Sequence, residues 1–550
     1  EATRLRGEQS EELLDLRMQC LDERRRALVA LTRTLEKPDA LVVKNALSAV
    51  GALPALEGCA DAAGLRGRAL PPSDPARRAQ WEALAERLGE VRALEGAGKW
   101  KEAIALAKPL AAEVAEVGHA PLEAEALLWL GKLQQLTGAY SDSEATLHRA
   151  AQTAQAGRDD ALAAQAWTEL ITTVGLDRAK PEPALLWDRY AQAALSRIAE
   201  PNDLDARRRR SLGYLYVCTG RFSEARQELA ASVTQLERSL GERHLATADA
   251  MGWLSVALQR SGALTDSLAM STRSLQVLEG LLGREHPTVA SARTNRATTL
   301  KEMGRCTEAA AECAIALPVL EREVGSESLA MVNHRLICAN ALVCEGRYGE
   351  AMQVLERMLT QVEKSGKPGA ICSVLNNLGD LWLRQGQLSD AKTVFERAFD
   401  VVEKELPPEH PLQSIVRVNL AEIALRQEKA QRALELLEAA PSLRTTNVSR
   451  ELPYVLVRLG RAKAALGRGK EALLDLERSV ALFQAEPREV PELYAARLAL
   501  ARVLDQTRTD AARAATLAAT AREGCARLGA PCAETLAQID GWLALHPPPR

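Results

Sequence analysis

The chain has 550 residues, which at about 150 residues per domain would divide into three or four globular domains. Its composition argues against that division: 47% of residues are hydrophobic but only 3% are aromatic, and the apolar share is mostly Ala and Leu, strong helix formers that suit many helix-on-helix contacts. A β-sandwich, a large α/β enzyme and a disordered chain fit poorly, and 70 basic against 73 acidic residues leave a net charge of −3, so no global field favours nucleic acid or an anionic membrane.

In chain order, the first segment stands apart. Gly7-Glu-Gln-Ser10 is expected to cap a long amphipathic helix up to about residue 35, with Ser10, Glu11 and Glu12 at its positive end. A second helix is expected over residues 39–53. Two antiparallel helices would bring Cys20 and Cys59 within reach of a disulfide, worth roughly 3–4 kcal/mol for a loop of about 40 residues. Two unrelated buried thiols are the plain alternative. No window of 18 apolar residues occurs; residues 46–56 come nearest and contain Gly51 and Pro54. The sequence begins at Glu1 without Met or a signal-peptide pattern and reads as processed or as a fragment.

From about residue 76 a turn signature repeats: Gly, any residue, a mostly bulky residue, any residue, an acid, a small residue. It reads Gly98-Lys-Trp100-Lys-Glu102-Ala103, Gly138-Ala-Tyr140-Ser-Asp142-Ser143 and Gly220-Arg-Phe222-Ser-Glu224-Ala225. It recurs from Gly262, Gly304, Gly346 and Gly386, with weaker copies at Glu428 and Gly467 and a degenerate one near Arg508. Starts lie 39–42 residues apart, except one interval of 82 that places a worn copy between Gly175 and Leu195. The period predicts about eleven helix–turn–helix units, each about 40 residues long. Small residues at Gly131, Gly213, Ala297, Ala339, Gly379, Ala421 and Gly460 share one phase of the first helix, answered by Ala225, Ala309, Ala351, Ala391, Ala433 and Ala472 on the second. Small residues on both helices allow close approach. Turn rings (Trp100, Tyr140, Phe222, Tyr348) share a phase, while Trp382 and Phe395 fill the seam of one unit.

These residues resemble the tetratricopeptide repeat, and the linkers Leu240-Gly-Glu-Arg-His244, Leu282-Gly-Arg-Glu-His286-Pro287 and Pro408-Glu-His410-Pro411 resemble its 42-residue kinesin light-chain type. The resemblance implies an all-α, right-handed α-solenoid over residues 76–545, preceded by the helical segment 1–75 and followed by a tail, 546–550. Three histidines in one loop phase read as repeat grammar and not as catalytic bases. Carried over by register, the inward positions of the first helices are Lys132, Tyr214, Arg260, Thr298, Lys301, Asn340, Asn376, Asp380, Arg384, Glu422, Arg426 and Arg461. Amides there bond a peptide backbone and cations take carboxylates. Ordinary solvated surface is the alternative for any one of them, and the run from Asn340 to Arg426 is the best stretch because it is polar across three consecutive units.

A second resemblance lies in Gly7-Glu-Gln-Ser10, Leu13-Leu14-Asp15-Leu16-Arg17-Met18, Cys20-Leu21, Arg24-Arg25, Ala52-Leu53-Pro54 and Cys59. This run is similar to the segment after the membrane span in large myxobacterial-type serine/threonine protein kinases with repeat tails. That resemblance implies a membrane-anchored kinase parent, an extracytoplasmic position for this chain, and a Cys20–Cys59 bond suited to an oxidising compartment. The kinase itself is missing: no Gly-rich phosphate loop, Val-Ala-x-Lys strand, His-Arg-Asp loop or Asp-Phe-Gly occurs. This chain is therefore expected to have no catalytic activity and no cofactor; ATP and Mg²⁺ belong only to the implied kinase domain. A free-standing cytoplasmic adaptor is the alternative.

The remaining chemistry is sparse. None of the ten cysteines forms a Cys-x-x-Cys pair and no histidine stands at ligand spacing, so no metal is expected. Cys306, Cys313, Cys338 and Cys344 read as small thiols in the packing seam, while a Cys525–Cys532 link around Gly529-Ala-Pro531 stays open. The basic run 207–210 reads as a solvated helix start. The expected partner is a protein or peptide in the groove, without nucleic acid or direct membrane insertion, and with homodimerisation open.

Overall fold

The computed structural model describes residues 10–54, 56–60, 62–67, 69–178, 180–198, 202–325, 328–408, 410–440, 443, 452–485, 490–529 and 532–546. The expected capping residues 7–9, the dipeptide 530–531 and residues 547–550 of the tail lie outside them. Among the described residues every regular element is helical.

The chain opens with α1 (Glu11–Leu35), α2 (Ala40–Gly51) and the short α3 (Ala62–Gly67). Ser10 accepts a hydrogen bond from the Leu13 amide at 3.1 Å, and Asp39 one from Val42 at 2.8 Å, so each helix begins at a side-chain cap. Cys20 on α1 is bonded to Cys59, with Cα atoms 5.6 Å apart.

Two compact units follow from the contact pattern. Unit 1 comprises Glu1–Ala257 and Arg273–His286. Its hairpins are α4 (Pro75–Gly96) with α5 (Trp100–Val117), α6 (Ala120–Leu136) with α7 (Tyr140–Ala156), α8 (Asp160–Thr172) with α9 (Pro181–Leu195), and α10 (Asn202–Cys218) with α11 (Phe222–Ser239). It also holds parts of α12 (Leu245–Arg260) and α13 (Leu264–Leu282). Unit 2 comprises Leu258–Thr272 and Pro287–Arg550. It pairs α14 (Pro287–Glu302) with α15 (Cys306–Val324), α16 (Met331–Glu345) with α17 (Tyr348–Ser365), and α18 (Pro368–Arg384) with α19 (Leu388–Glu405). Then come α20 (Pro411–Arg426) with α21 (Ala430–Glu438), α22 (Leu452–Ala465) with α23 (Gly469–Ala485), α24 (Pro491–Gln506) with α25 (Ala511–Leu528), and a closing α26 (Ala533–Leu545). Eleven helix pairs thus form an all-α repeat solenoid.

The repeat phase carries the packing. Each small residue of the first helix faces a bulky residue sixteen positions later on the second: Gly131 meets Leu147, Gly213 meets Leu229, Gly379 meets Phe395 and Gly460 meets Leu476. A methyl at Gly379 would lie 2.5 Å from the Phe395 ring, which is fully buried. A second device repeats at 26 residues: Ser232, Ser274 and Ser479 donate to the carbonyls of Ala206, Ala248 and Pro453 at 2.7–2.8 Å, tying second helices to first. Of the turn rings, Trp100 and Tyr140 are exposed, whereas Phe222 and Tyr348 are half-buried. Within each unit successive first helices also touch one another, as α4, α6, α8 and α10 do in unit 1 and α14 to α24 in unit 2, forming a continuous first-helix layer.

The worn copy is the α8–α9 pair. Here α8 runs on into a π-helical segment, Thr173–Asp177, which buries Gly175, and Trp167 and Trp187 stack with centroids 5.4 Å apart. The degenerate turns keep their backbone shape without glycine: Glu428 and Arg508 hold φ of 59° and 51°.

The structure corrects two expectations. The run 207–210 is not a solvated start: it lies inside α10, and the Arg208 side chain, only 2% exposed, reaches Asp188 at 2.5 Å and Asp205 at 2.9 Å. Helical period turns Arg208 toward α9 while Arg207, Arg209 and Arg210 pair with Asp203, Glu228 and Asp249. The second correction concerns the seam cysteines. They are paired, Cys306 with Cys344 and Cys313 with Cys338, at Cα separations of 5.3 and 5.4 Å, and Cys525 pairs with Cys532 at 5.1 Å. These separations fall in the usual disulfide range of about 4.4–6.8 Å. Two cysteines stay reduced: exposed Cys218 and buried Cys372, whose thiol burial pushes up to about 12. Denatured, non-reduced protein is therefore expected to react with a thiol reagent at two positions; ten reactive thiols would refute the pairing.

Candidate functional site

The register positions all lie on first helices, which touch one another in a continuous layer within each unit. The twelve register positions are distributed over both units. In unit 1, the Lys132 ammonium sits 4.1 Å from the Trp129 ring centroid and 3.8 Å from Glu95. Tyr214 lies 4.0 Å from Trp253, centroid to centroid, and burial followed by Cys218 pushes its phenol up. Asp177, raised by burial, accepts from Gln135 at 2.7 Å. These positions of unit 1 thus set aromatic rings beside charged and amide groups.

Unit 2 carries the other positions, and its layer is polar. Thr298 bonds within its own helix, to the Thr294 carbonyl at 3.3 Å. Arg260 is exposed at the end of α12, while Lys301 and Asn340 are half-buried. Asn376 accepts from Asn419 at 2.7 Å, bridging α18 and α20. Asp380 and Arg384 pair one turn apart at 2.9 Å, and Asp380 holds the guanidinium charge.

Glu422 is the centre of the strongest constellation. Its carboxylate takes Arg426 at 3.3 Å from its own helix, and Arg458 and Arg461 at 3.2 and 2.7 Å from α22. Burial opposes its ionisation, yet the guanidiniums of Arg458, Arg461 and Arg426 outweigh burial and hold the carboxyl at about 2. Arg426 also reaches Glu534 on α26 at 3.2 Å. Arg502 on α24 stands beside this group; burial and the neighbouring Arg461 both lower its pKa. One carboxylate therefore gathers three guanidiniums, and the charge of Arg461 is felt by a fourth, Arg502.

Of the expected positions, the structure brings together Glu422, Arg426 and Arg461, and separately Asp380 with Arg384; Lys132 and Tyr214 lie in the other unit. The reading of the sequence missed Arg458, Arg502, Asn419, Trp129 and Trp253. A signal existed for each. Arg502 lies six residues before the degenerate turn at Arg508, the phase of Asp380, Glu422 and Arg461. Trp129, Trp253, Asn419 and Arg458 all lie nine residues before a turn.

The loop histidines make backbone contacts. His119, His244 and His410 accept hydrogen bonds through Nδ1 from Leu122, Ala246 and Leu412 at 3.1–3.3 Å, at helix starts. Among the described residues no group of three His, Cys, Asp or Glu converges as a metal site would require, and no helix is long and apolar enough to cross a membrane.

Comparison with known proteins agrees with this architecture. Tetratricopeptide-repeat profiles match residues 247–288 and 370–444. No curated protein matches the chain. Among solved structures, a kinesin light chain from Podosopora anserina with nearly identical tetratricopeptide-like repeats is 23% identical, covering 36% of this chain and 95% of its own at a TM-score of 0.31. The apo quorum sensor NprR from B. thuringiensis is 13% identical over 66% of this chain and 97% of its own, TM-score 0.42. A Rap protein complexed with competence and sporulation factor is 16% identical over 70% of this chain and 99% of its own, TM-score 0.45.

Proposed function

We propose that this tetratricopeptide-repeat chain is a peptide- or protein-binding scaffold whose first-helix layer in unit 2 takes an extended segment bearing carboxylates. One observation carries the reading: Arg426, Arg458 and Arg461 gather on the carboxylate of Glu422, with Glu534 reaching only Arg426 and with Arg502 close enough to feel the charge of Arg461. Like charges held together relax when a further anion enters, and guanidinium–carboxylate pairs are charge-assisted and directional. The paired amides of Asn376 and Asn419 stand one layer along, suited to a peptide backbone. On this reading the chain performs no chemistry and needs no cofactor.

The wider setting is also proposed. The run from Gly7 to Cys59, whose sequence resembles the post-membrane segment of repeat-bearing serine/threonine kinases, supports an interaction or sensory role for a membrane-anchored parent. The four disulfides favour an oxidising, extracytoplasmic compartment. The reading frame upstream of Glu1 tests that parentage directly.

Binding is tested by titrating fluorescent ten-residue peptides into the full chain, an Asp/Glu-rich set against its Asn/Gln counterpart. The acidic set is expected to bind, more weakly as salt rises, and Arg461→Ala with Arg502→Ala to lose about 10–100-fold, as for hydrogen bonds to charged groups. Equal binding of both sets, or affinity unmoved by the double substitution, would sink the reading.

A further inference from the structure

Helix α2 makes contacts that stacking does not explain. In a repeat array each pair touches only its neighbours. Yet the carbonyl of Lys44 on α2 lies 3.3 Å from His286 Nε2, across 242 positions of sequence, and a Cβ placed on Gly51 would lie 3.8 Å from His244 Nε2. At the same time α2 is attached to the start of the array. Asn45 donates to the Ala97 carbonyl at 3.2 Å, Asp39 pairs with Lys99 at 2.9 Å, and Ala49 packs so close to Gly96 that a methyl there would sit 3.2 Å away. All these residues belong to unit 1. Helix α2 thus reaches from the first turn to loops several pairs later in the same unit, while packing on α4 and α1.

The attachment is slight. Only Val42 and Ala49 of α2 are buried, whereas α4 buries six residues, and Val43, Leu47 and Val50 form an exposed apolar stripe at helical spacing. Sparse apolar burial marks elements that open locally before the rest. Both ends of the segment are nevertheless held: α1 packs along α4, and the Cys20–Cys59 bond closes the loop that carries α2. An opened α2 therefore stays at high effective concentration over its seat.

We propose that α2 is a displaceable strap, an in-chain occupant of unit 1 that must lift before another helix can use the surface around Gly96, Ala97 and Lys99. It is independent of the arginine cluster, which lies in unit 2. The test uses the full chain, with Lys99→Ala and His286→Ala combined, and Asn45→Ala as a second variant. By hydrogen exchange, residues 40–51 are expected to exchange at least 10-fold faster in both variants than in the parent, with exchange in α4 to α8 unchanged. A fluorescein-labelled peptide of residues 38–54 is expected to bind the Asn45→Ala variant, whose strap is weakened while the seat keeps Lys99 and His286, at least 10-fold more tightly than the parent, whose seat is filled. Exchange over 40–51 as slow as in α4 and insensitive to both variants, or equal binding of the peptide to parent and variant, would overturn the strap. Acceleration spreading through α4 to α8 would overturn it too, because α2 would then be an integral part of the fold.

Discussion

Replacing Arg208 by alanine is expected to destabilise unit 1 by about 3–5 kcal/mol, the usual cost of removing one partner from a buried ion pair. The side chain is 2% exposed and stands between Asp188 of α9 and Asp205 of α10. Asp205 retains Arg209 and Gln235, at 2.8 Å each, but Asp188 has no other cation within reach among the described contacts. Truncation leaves its carboxylate sunk in the seam of the α8–α9 pair, where α8 runs on into a π-helical segment. The double substitution Arg208→Met with Asp188→Leu is expected to recover most of the loss, because apolar packing often equals or exceeds a buried ion pair. Urea denaturation with hydrogen exchange over α8 to α11 measures both. A single substitution costing less than about 1 kcal/mol would show that water reaches the pair.

The same arginine marks the limit of what periodicity reveals. Gly379 and Phe395 were legible from phase alone, since a fixed period puts the small residue of one helix opposite the bulk of the next. Arg208 was not, because its partner Asp188 lies in the pair whose turn signature is missing from the series, so no register linked α9 to α10. The arginine cluster was half legible for a similar reason. Glu422, Arg426 and Arg461 share phases with their neighbours, whereas Arg502 is counted from Arg508, a turn that keeps a left-handed backbone after losing its glycine. The disulfides needed a different comparison. Cys306 and Cys313 lie two turns apart on α15, and Cys338 and Cys344 nearly two turns apart on α16; only setting the helices antiparallel reverses the order and pairs outer with outer, inner with inner. The helix α2 itself was expected over 39–53, but nothing periodic foretold its contact with His286, which lies 242 positions along the chain.

Lowering the pH tests the Glu422 cluster as structure and as binding site together. The folded carboxyl titrates at about 2, below the ordinary 4.5, so the group stabilises the fold fully above about 4.5 and loses that contribution as pH falls toward 2. At 1.36 kcal/mol per pH unit, the whole interval corresponds to about 3 kcal/mol, with the side chain 12% exposed and little screened. Glu422→Gln is therefore expected to lose about 3 kcal/mol at neutral pH in urea denaturation and to flatten the decline between pH 4.5 and 2. Stability and binding should then move in opposite directions. Glu422 competes with any incoming carboxylate for Arg458 and Arg461, so its removal frees both guanidiniums for the ligand. An acidic peptide is expected to bind Glu422→Gln about tenfold more tightly than the parent, the exchange of stability for function seen where a site holds its own charges under compression. Reduced stability with unchanged or weaker peptide binding would make the cluster a structural knot and would remove the main support for unit 2 as the carboxylate-binding face.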